Sequence, residues 1–302
     1  MTRIPTASPA PQPRSRITAQ GLHIQRSGRP DALPLVLLPG WAMHHGVFDS
    51  LAHRLGDAVD LWRIDLPGHG KSRPLPDASQ PLPHWLNALL DAAPARAIWA
   101  GWSLGGRLAA QITLDHPQRV AGLVMLASNP QFIRNARWPH GMAPAHFNAF
   151  AKTVRTDYEA TLMRFLHLQV NGMNNARATL QTLRRRVFEF GRPSEQALQQ
   201  GLHLLKTLRY DDRFAQIACP TLLLLGERDT LTPPAAGLAL LDNLAAGAAV
   251  TLPGAGHAPF LSHTDATAAH LKAFIASVAV RWRTAAPSHT AMNLHSLSTP
   301  RF

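Results

Sequence analysis

The five residues Gly101-Trp102-Ser103-Leu104-Gly105 constrain this chain more than any other stretch. They lie between a strand-like apolar run at 96–100 and a helix-like run at 106–116. Gly-x-Ser-x-Gly between a strand and a helix reads as a nucleophile elbow. The spacing has a steric reason. The serine backbone must take a strained conformation to push its hydroxyl out of the turn, and small residues two positions either side let strand and helix approach. Ser103 would also sit at a helix N-terminus, whose free N–H groups favour developing negative charge. The alternative reading is a glycine-rich turn with a buried serine.

A serine hydroxyl is a weak nucleophile until a base takes its proton, and the base needs a carboxylate to hold its tautomer. Both partners follow later in the chain. Asp229 comes just after the apolar run Leu222-Leu223-Leu224-Leu225, where a strand would end. His257 lies in Pro253-Gly254-Ala255-Gly256-His257-Ala258-Pro259-Phe260, whose small residues let a loop reach inward. Ser103, Asp229 and His257 are therefore the expected catalytic residues. Glu227 is a rival acid, closer to the strand. His263 reads as a cap or surface residue, and Asp265 as a first-turn carboxylate. His69 in a Gly-His-Gly turn reads as shaping a loop rather than as a ligand or catalyst.

Two N–H donors must meet the oxyanion that forms when the serine attacks a carbonyl. Leu104, just after the nucleophile, supplies one. Trp41 in Pro39-Gly40-Trp41-Ala42 supplies the other, unless it is a packing aromatic only. With Trp102, its indole is expected to wall the substrate pocket.

Around this site, short apolar runs alternate with helical patterns. Strands are expected at 22–25, 35–38, 59–64, 97–100, 120–126, 221–225 and 249–252. Helices are expected at 82–90, 234–244 and 266–280. The alternation predicts an α/β chain with a mainly parallel, doubly wound sheet. Residues 129–212 break it with four helical patterns, at 145–154, 158–169, 176–188 and 194–207, too long a stretch for a plain loop. The expected organisation is a core at 21–128 and 213–283, an inserted helical lid at 129–212, and disordered tails at 1–20 and 284–302.

Composition narrows the function. The chain has 302 residues, 46% of them hydrophobic, so it can bury a sizeable core. Its single cysteine, Cys219, excludes an internal disulfide and a cysteine metal cluster, and reads as a core thiol. No apolar run reaches the roughly 18 residues needed to cross a bilayer, and the first 16 residues lack the apolar segment of a secretory signal. A cytoplasmic protein without membrane attachment is expected. The net charge is +12, and 13 Lys and Arg against 6 Asp and Glu fall between 131 and 213. That one-signed excess in the lid suggests an anionic partner, although an arginine-rich composition alone would also produce it. No nucleic-acid motif accompanies it.

Leu38-Pro39-Gly40-Trp41, Asp65-Leu66-Pro67-Gly68-His69-Gly70-Lys71-Ser72, Gly101-Trp102-Ser103-Leu104-Gly105-Gly106, Asp229 and Gly256-His257-Ala258-Pro259-Phe260 resemble the α/β-hydrolase superfamily. Arg164-Phe165-Leu166 with Leu168-Gln169, and Leu204-Leu205-Lys206-Thr207, narrow the resemblance to the BioH-type pimeloyl-[acyl-carrier protein] methyl ester esterases, over about residues 33–280. The resemblance implies the α/β-hydrolase fold and removal of a methyl ester from a carrier-bound dicarboxylate in biotin synthesis. It implies no metal or cofactor, and an acidic acyl carrier protein as partner; a monomer is expected. Arg164 and Arg177 match basic lid positions of the family. Ala160 and Gln181 stand where other family arginines occur, so Arg155, Arg184, Arg185 and Arg186 are candidates to compensate. A broad small-ester carboxylesterase, or a ligand receptor on the same fold, are the competing functions.

Overall fold

The computed structural model describes residues 14–76, 79–173, 175–210 and 213–284. Its centre is an eight-stranded sheet in the order β1-β2-β4-β3-β5-β6-β7-β8. The strands are β1 (Arg14–Ile17), β2 (His23–Gly28), β3 (Pro34–Leu38), β4 (Asp60–Ile64), β5 (Ala97–Trp102), β6 (Val120–Leu126), β7 (Thr221–Gly226) and β8 (Gly247–Leu252). β3 to β8 are parallel, whereas β1 and β2 add an antiparallel edge. Every residue of β5, β6 and β7 is buried, as expected of central parallel strands that are apolar throughout.

The helices are α1 (Asp49–Leu55), α2 (Pro81–Ala92), α3 (Leu104–Asp115), α4 (Pro144–Thr156), α5 (Tyr158–Val170), α6 (Ala176–Val187), α7 (Glu195–Thr207), α8 (Pro234–Leu241), α9 (Pro259–Ser262) and α10 (Thr264–Thr284). α3 packs on β3, β5 and β6, and α1 packs on α10. α4 to α7 form the four-helix insertion between β6 and β7. Two of its helices are capped as their sequences suggest: the Asp157 carboxylate accepts from Ala160 N–H, and the Ser194 hydroxyl from Ala197 N–H.

The insertion is rooted at both ends. Gln131 bridges to Arg209 in antiparallel fashion. Arg107, fully buried on α3, donates to the carbonyls of Asn129 and Leu208, one at each end of the insertion. The Tyr210 hydroxyl returns a bond to the carbonyl of Arg107 at 2.8 Å. Carbonyl acceptors replace part of the hydration that a buried guanidinium loses.

Three expectations change. Residues 14–17, assigned to a disordered N-terminal tail, form β1, paired with β2 from Arg14↔Arg26 to Ile17↔His23. All four are exposed, so backbone pairing rather than an apolar pattern holds the strand, and its two arginines suit an open sheet edge. The helix expected at 234–244 ends at Leu241. The helix expected at 266–280 runs from Thr264 to Thr284, one residue into the expected C-terminal tail. Residues 18–20 of the expected N-terminal tail lie in the turn from β1 to β2, with Thr18 N–H donating to Leu22 O at 2.8 Å. Residues 1–13 and 285–302 lie outside the described residues, as do Asp211 and Asp212 at the end of the expected lid.

Candidate active site

Ser103 joins β5 to α3 with φ 53° and ψ −115°, a conformation costing a non-glycine residue about 1–3 kcal/mol. Its neighbours hold it there. Ser103 N–H donates to Leu126 O at 3.0 Å, and the Ser128 hydroxyl donates to Ser103 O at 2.8 Å. The flanking glycines are sterically required. A Cβ on Gly101 would lie 2.1 Å from the carbonyl carbon of Gly105, and one on Gly105 would lie 2.3 Å from Leu38 O.

The second of these contacts also assembles the expected oxyanion donors. Because Gly105 lies against Leu38 and Pro39, the start of α3 abuts the loop that carries Trp41. Leu104 is the first residue of α3, so its N–H has no partner within the helix. The Trp41 loop turns tightly, with Met43 N–H donating to Gly40 O at 3.2 Å and Ala42 at φ 63°. The Trp41 indole donates to Leu198 O on α7 at 3.0 Å and meets Phe150 and Phe165 edge-on at 5.4 and 5.5 Å. Trp41 thus joins the core to three helices of the insertion. Trp102, expected with it as a pocket wall, is buried with its ring against Gly40 of the Trp41 loop and 5.7 Å from the His257 ring. Its indole donates to His257 O at 2.7 Å and packs on Phe260.

Asp229, just past β7, and His257, past β8, meet as the sequence suggests. His257 Nδ1 lies 2.8 Å from Asp229 Oδ2, with both side chains buried. The carboxylate fixes the tautomer with the proton on Nδ1. His257 Nε2 is buried and makes no hydrogen bond, so the Ser103–His257 bond needed for base catalysis is not formed in this state. Such bonds often tighten only when substrate is present. Glu227 is exposed, and its carboxylate accepts from Gly254 N–H at 2.8 Å, away from the histidine. His263 ends α9, its Nδ1 2.9 Å from the Ser262 hydroxyl. Asp265 pairs with Arg54 on the surface.

Two site features gave little sequence signal. Thr232 donates its hydroxyl to Asp229 Oδ2 at 2.5 Å, and Gln169 on α5 accepts from His257 N–H at 3.0 Å. A Thr three residues after a candidate acid was the only available hint of the first. The second joins positions far apart in the chain.

Asp65 is the hub of a separate buried cluster. His23 Nδ1 lies 3.1 Å from its Oδ2, and His45 Nδ1 lies 2.9 and 3.0 Å from its two oxygens. His45 N–H and Lys71 N–H also donate to it. Burial alone would raise the Asp65 pKa, but the bonds from His23 and His45 outweigh it and hold the carboxyl well below the usual range. The three side chains have the composition of a metal-ligand set, but each imidazole already has the carboxylate as its partner. His69, nearby, donates from Nδ1 to Pro67 O, and burial pushes its pKa down to about 4. It is a neutral loop residue at physiological pH. Cys219 is partly buried, and its thiol is pushed up to about 11, chiefly by burial, so it carries no appreciable thiolate.

Arg164 and Arg177 both lie exposed on the insertion, on α5 and in the first turn of α6. Arg164 donates to the Thr161 hydroxyl at 3.0 Å. Arg155, Arg184 and Arg185 are also exposed. Arg186 differs: it bridges to Asp49 at 2.9 Å and Glu189 at 2.6 Å, so its charge is already neutralised within the molecule. Beside the site, a cavity of about 510 Å³ opens between α4, α5 and the loop after β7. Phe150, Phe165, Leu168, Met142 and Leu231 give it apolar walls, and Arg134 and His146 line it too.

A strained serine between strand and helix, followed in chain order by a buried Asp–His pair, is the arrangement of a serine hydrolase on a parallel sheet. The family described as "alpha/beta hydrolase fold" matches residues 34–264, and this chain belongs to it. Within that fold family its similarity is to curated pimeloyl-[acyl-carrier protein] methyl ester esterases. The one from Stenotrophomonas maltophilia (strain R551-3) is 44% identical over 260 residues, covering 85% of this chain and 97% of the relative. That of Xanthomonas oryzae pv. oryzae (strain MAFF 311018) is 43% identical over 259 residues, covering 85% and 100%. Among solved structures, an esterase (EaEST) from Exiguobacterium antarcticum superposes with a TM-score of 0.75 at 19% identity, covering 84% of this chain and 95% of that one. Bromoperoxidase from Bacillus anthracis gives 0.76 at 17% identity, covering 88% and 100%. At these identities the structural matches speak for the fold alone.

Proposed function

We propose that this protein is a serine carboxylesterase that removes the methyl ester from pimeloyl-[acyl-carrier protein] in biotin biosynthesis. The observation that carries this reading is the 44% identity to an esterase of that name across nearly its whole length. In the proposed mechanism His257 Nε2 takes the Ser103 proton as Ser103 Oγ attacks the methyl ester carbonyl. Asp229 holds the Nδ1 proton and steadies the imidazolium. The oxyanion rests on the N–H groups of Leu104 and Trp41. His257 then protonates the departing methoxide oxygen, and methanol leaves a pimeloyl ester on Ser103. Water, deprotonated by the same Nε2, attacks that ester; Ser103 leaves with the proton, releasing the free acid.

The apolar cavity beside Phe150 and Phe165 offers room for the acyl chain. An acidic carrier protein would meet the lid at Arg164 and Arg177, with Arg155, Arg184 and Arg185 adding positive potential. Complementary charge accelerates such encounters. The reading places the enzyme in the cytoplasm as a monomer, acting without nucleic acid or membrane. Among the described residues no helix is long and apolar enough to cross a membrane.

The test is methanol release from pimeloyl-[acyl-carrier protein] methyl ester, with growth of a biotin-requiring strain lacking its own esterase as the cellular counterpart. Ser103→Ala should fold and lose roughly 10³-fold or more of the activity. Near wild-type turnover in that variant, or efficient hydrolysis of small esters with none of the carrier-bound ester, would refute the proposal.

A further inference from the structure

Asp229 is held by more donors than a catalytic acid needs to orient a histidine. Its Oδ1 accepts from the N–H groups of Leu231 at 2.8 Å and Thr232 at 2.9 Å. Its Oδ2 accepts from the Thr232 hydroxyl at 2.5 Å and faces His257 Nδ1 at 2.8 Å. The same hydroxyl oxygen lies 3.4 Å from His257 Nδ1. Among the described residues, Thr232 alone therefore touches both carboxylate oxygens, one through its backbone and one through its side chain. It is buried, so water does not compete for these bonds.

We propose that Thr232 is a positioning residue for this reaction, its hydroxyl both locking the plane of the Asp229 carboxylate and sharing the charge of the oxygen that faces His257. The inference rests on the reading of Ser103, Asp229 and His257 given above.

The locking is geometric. With only the backbone donors on Oδ1 and the His257 imidazole on Oδ2, carboxylate and imidazole could rock together about the Asp229 Cβ–Cγ bond. A second donor on Oδ2 that is not part of the histidine restricts that motion, and a β-branched side chain with few rotamers supplies it at little entropic cost. The charge sharing is electrostatic. A hydrogen bond to a carboxylate stabilises its charge and draws electron density from the oxygen that faces the imidazole. Without the hydroxyl, Oδ2 would direct its charge at His257 alone and hold the imidazolium more tightly. Among the described residues, the other polar groups bonded to His257 are uncharged: the Trp102 indole donates to its carbonyl, and Gln169 O accepts from its N–H. The charged groups of the acid's loop, Glu227 and Arg228, are exposed and bond to Gly254 N–H and Gly172 O.

The experiment compares Thr232→Val, which keeps the shape and removes the hydroxyl, with Thr232→Ser, which keeps the hydroxyl. Two readouts are taken on the full chain: the His257 imidazole titration by NMR, and the acid limb of kcat/KM against pH with a p-nitrophenyl ester. Thr232→Val should raise both midpoints by half a pH unit or more, about threefold in the protonation equilibrium. It should also lower kcat several-fold with little change in KM. Thr232→Ser should return both midpoints close to the wild-type values. Thr232→Ala serves in place of Val should the latter fail to fold. Midpoints and kcat unmoved by loss of the hydroxyl, or moved equally by Ser and Val, would overturn the assignment. A wild-type protein with no esterase activity would instead sink the esterase reading, while the NMR titration would still decide whether the hydroxyl tempers His257.

Discussion

The backbone carbonyl of Gln169, on α5, accepts a hydrogen bond from the backbone N–H of His257 at 3.0 Å. His257 therefore hangs between two layers: its side chain is fixed by Asp229 on the core and its backbone by the insertion. The contact is close because position 256 is a glycine. A Cβ there would lie 2.6 Å from Met173 Sδ and 2.7 Å from Gln169 O. An insertion that moved at α5 would carry the His257 loop with it.

Gly256→Ala should separate that loop from α5. The expected result is a fall in kcat of tenfold or more, with a thermal midpoint lowered by a few degrees for a cost of about 1–3 kcal/mol. Enzyme assays and a thermal melt on the same preparation check it. An unchanged kcat would show that the base does not depend on its tie to the insertion.

Asp229→Asn should leave the fold intact and cost about 10⁴-fold in kcat, because an amide holds the wrong tautomer of His257. Glu227→Gln should cost little, since Glu227 faces Gly254 N–H. Turnover of a small ester by both stable variants decides between them; a far greater loss at Glu227 would reassign the acid.

Replacing Arg164 and Arg177 with Glu should raise the KM for the carrier-bound methyl ester and weaken its dependence on ionic strength. Hydrolysis of a small ester should change little, since both arginines are exposed on the insertion and the triad is on the core. Equal losses on both substrates would assign the arginines to the fold or the pocket. No loss on either would make the charge of the insertion a matter of composition.

His69 makes stability depend on pH. Burial lowers its pKa in the folded state from 6.5 to about 4, against smaller opposing effects from the Pro67 carbonyl and Asp65. Between those values the unfolded chain binds a proton that the folded chain refuses, so stability rises with pH across that window and falls on acidification. The full shift corresponds to roughly 3 kcal/mol. His69→Phe removes the titration, and an aromatic ring suits a site where Nε2 has no partner. Urea midpoints from pH 7 to pH 4.5 should drop less steeply in the variant than in the wild type; parallel slopes would assign the acid sensitivity elsewhere.

Much of the core was readable because its signals are local. The apolar runs at 35–38, 120–126 and 221–225 became β3, β6 and β7, and all four helices expected in the insertion formed within a few residues of their expected ends. β1 was not readable. Four exposed residues bear no pattern, and only a turn at Gly21 with φ 86° returns them to β2. α1 was missed for a related reason: a seven-residue helix that buries only Leu51 and Leu55 shows too little periodicity. Arg186 looked like its neighbours Arg184 and Arg185 in sequence. Its pairing with Asp49 depends on where α6 meets α1.

By itself the sequence pointed to the elbow at Ser103 and to the order of Ser103, Asp229 and His257 along the chain. Those features depend on glycine sterics and on apolar runs within a few residues of each group, and a chain carries such rules wherever it goes. Only the tertiary structure decided that Gln169 holds the backbone of His257, that Trp102 braces the same residue, that the Thr232 hydroxyl shares Asp229 with it, and that Arg107 pins both roots of the insertion. The Gln169, Trp102 and Arg107 contacts join positions tens to more than a hundred residues apart, and their donors and acceptors become partners only when burial removes the water that would otherwise satisfy them. Thr232 stands close to Asp229 in sequence, yet which oxygen it shares is set by where His257 comes in from the neighbouring strand.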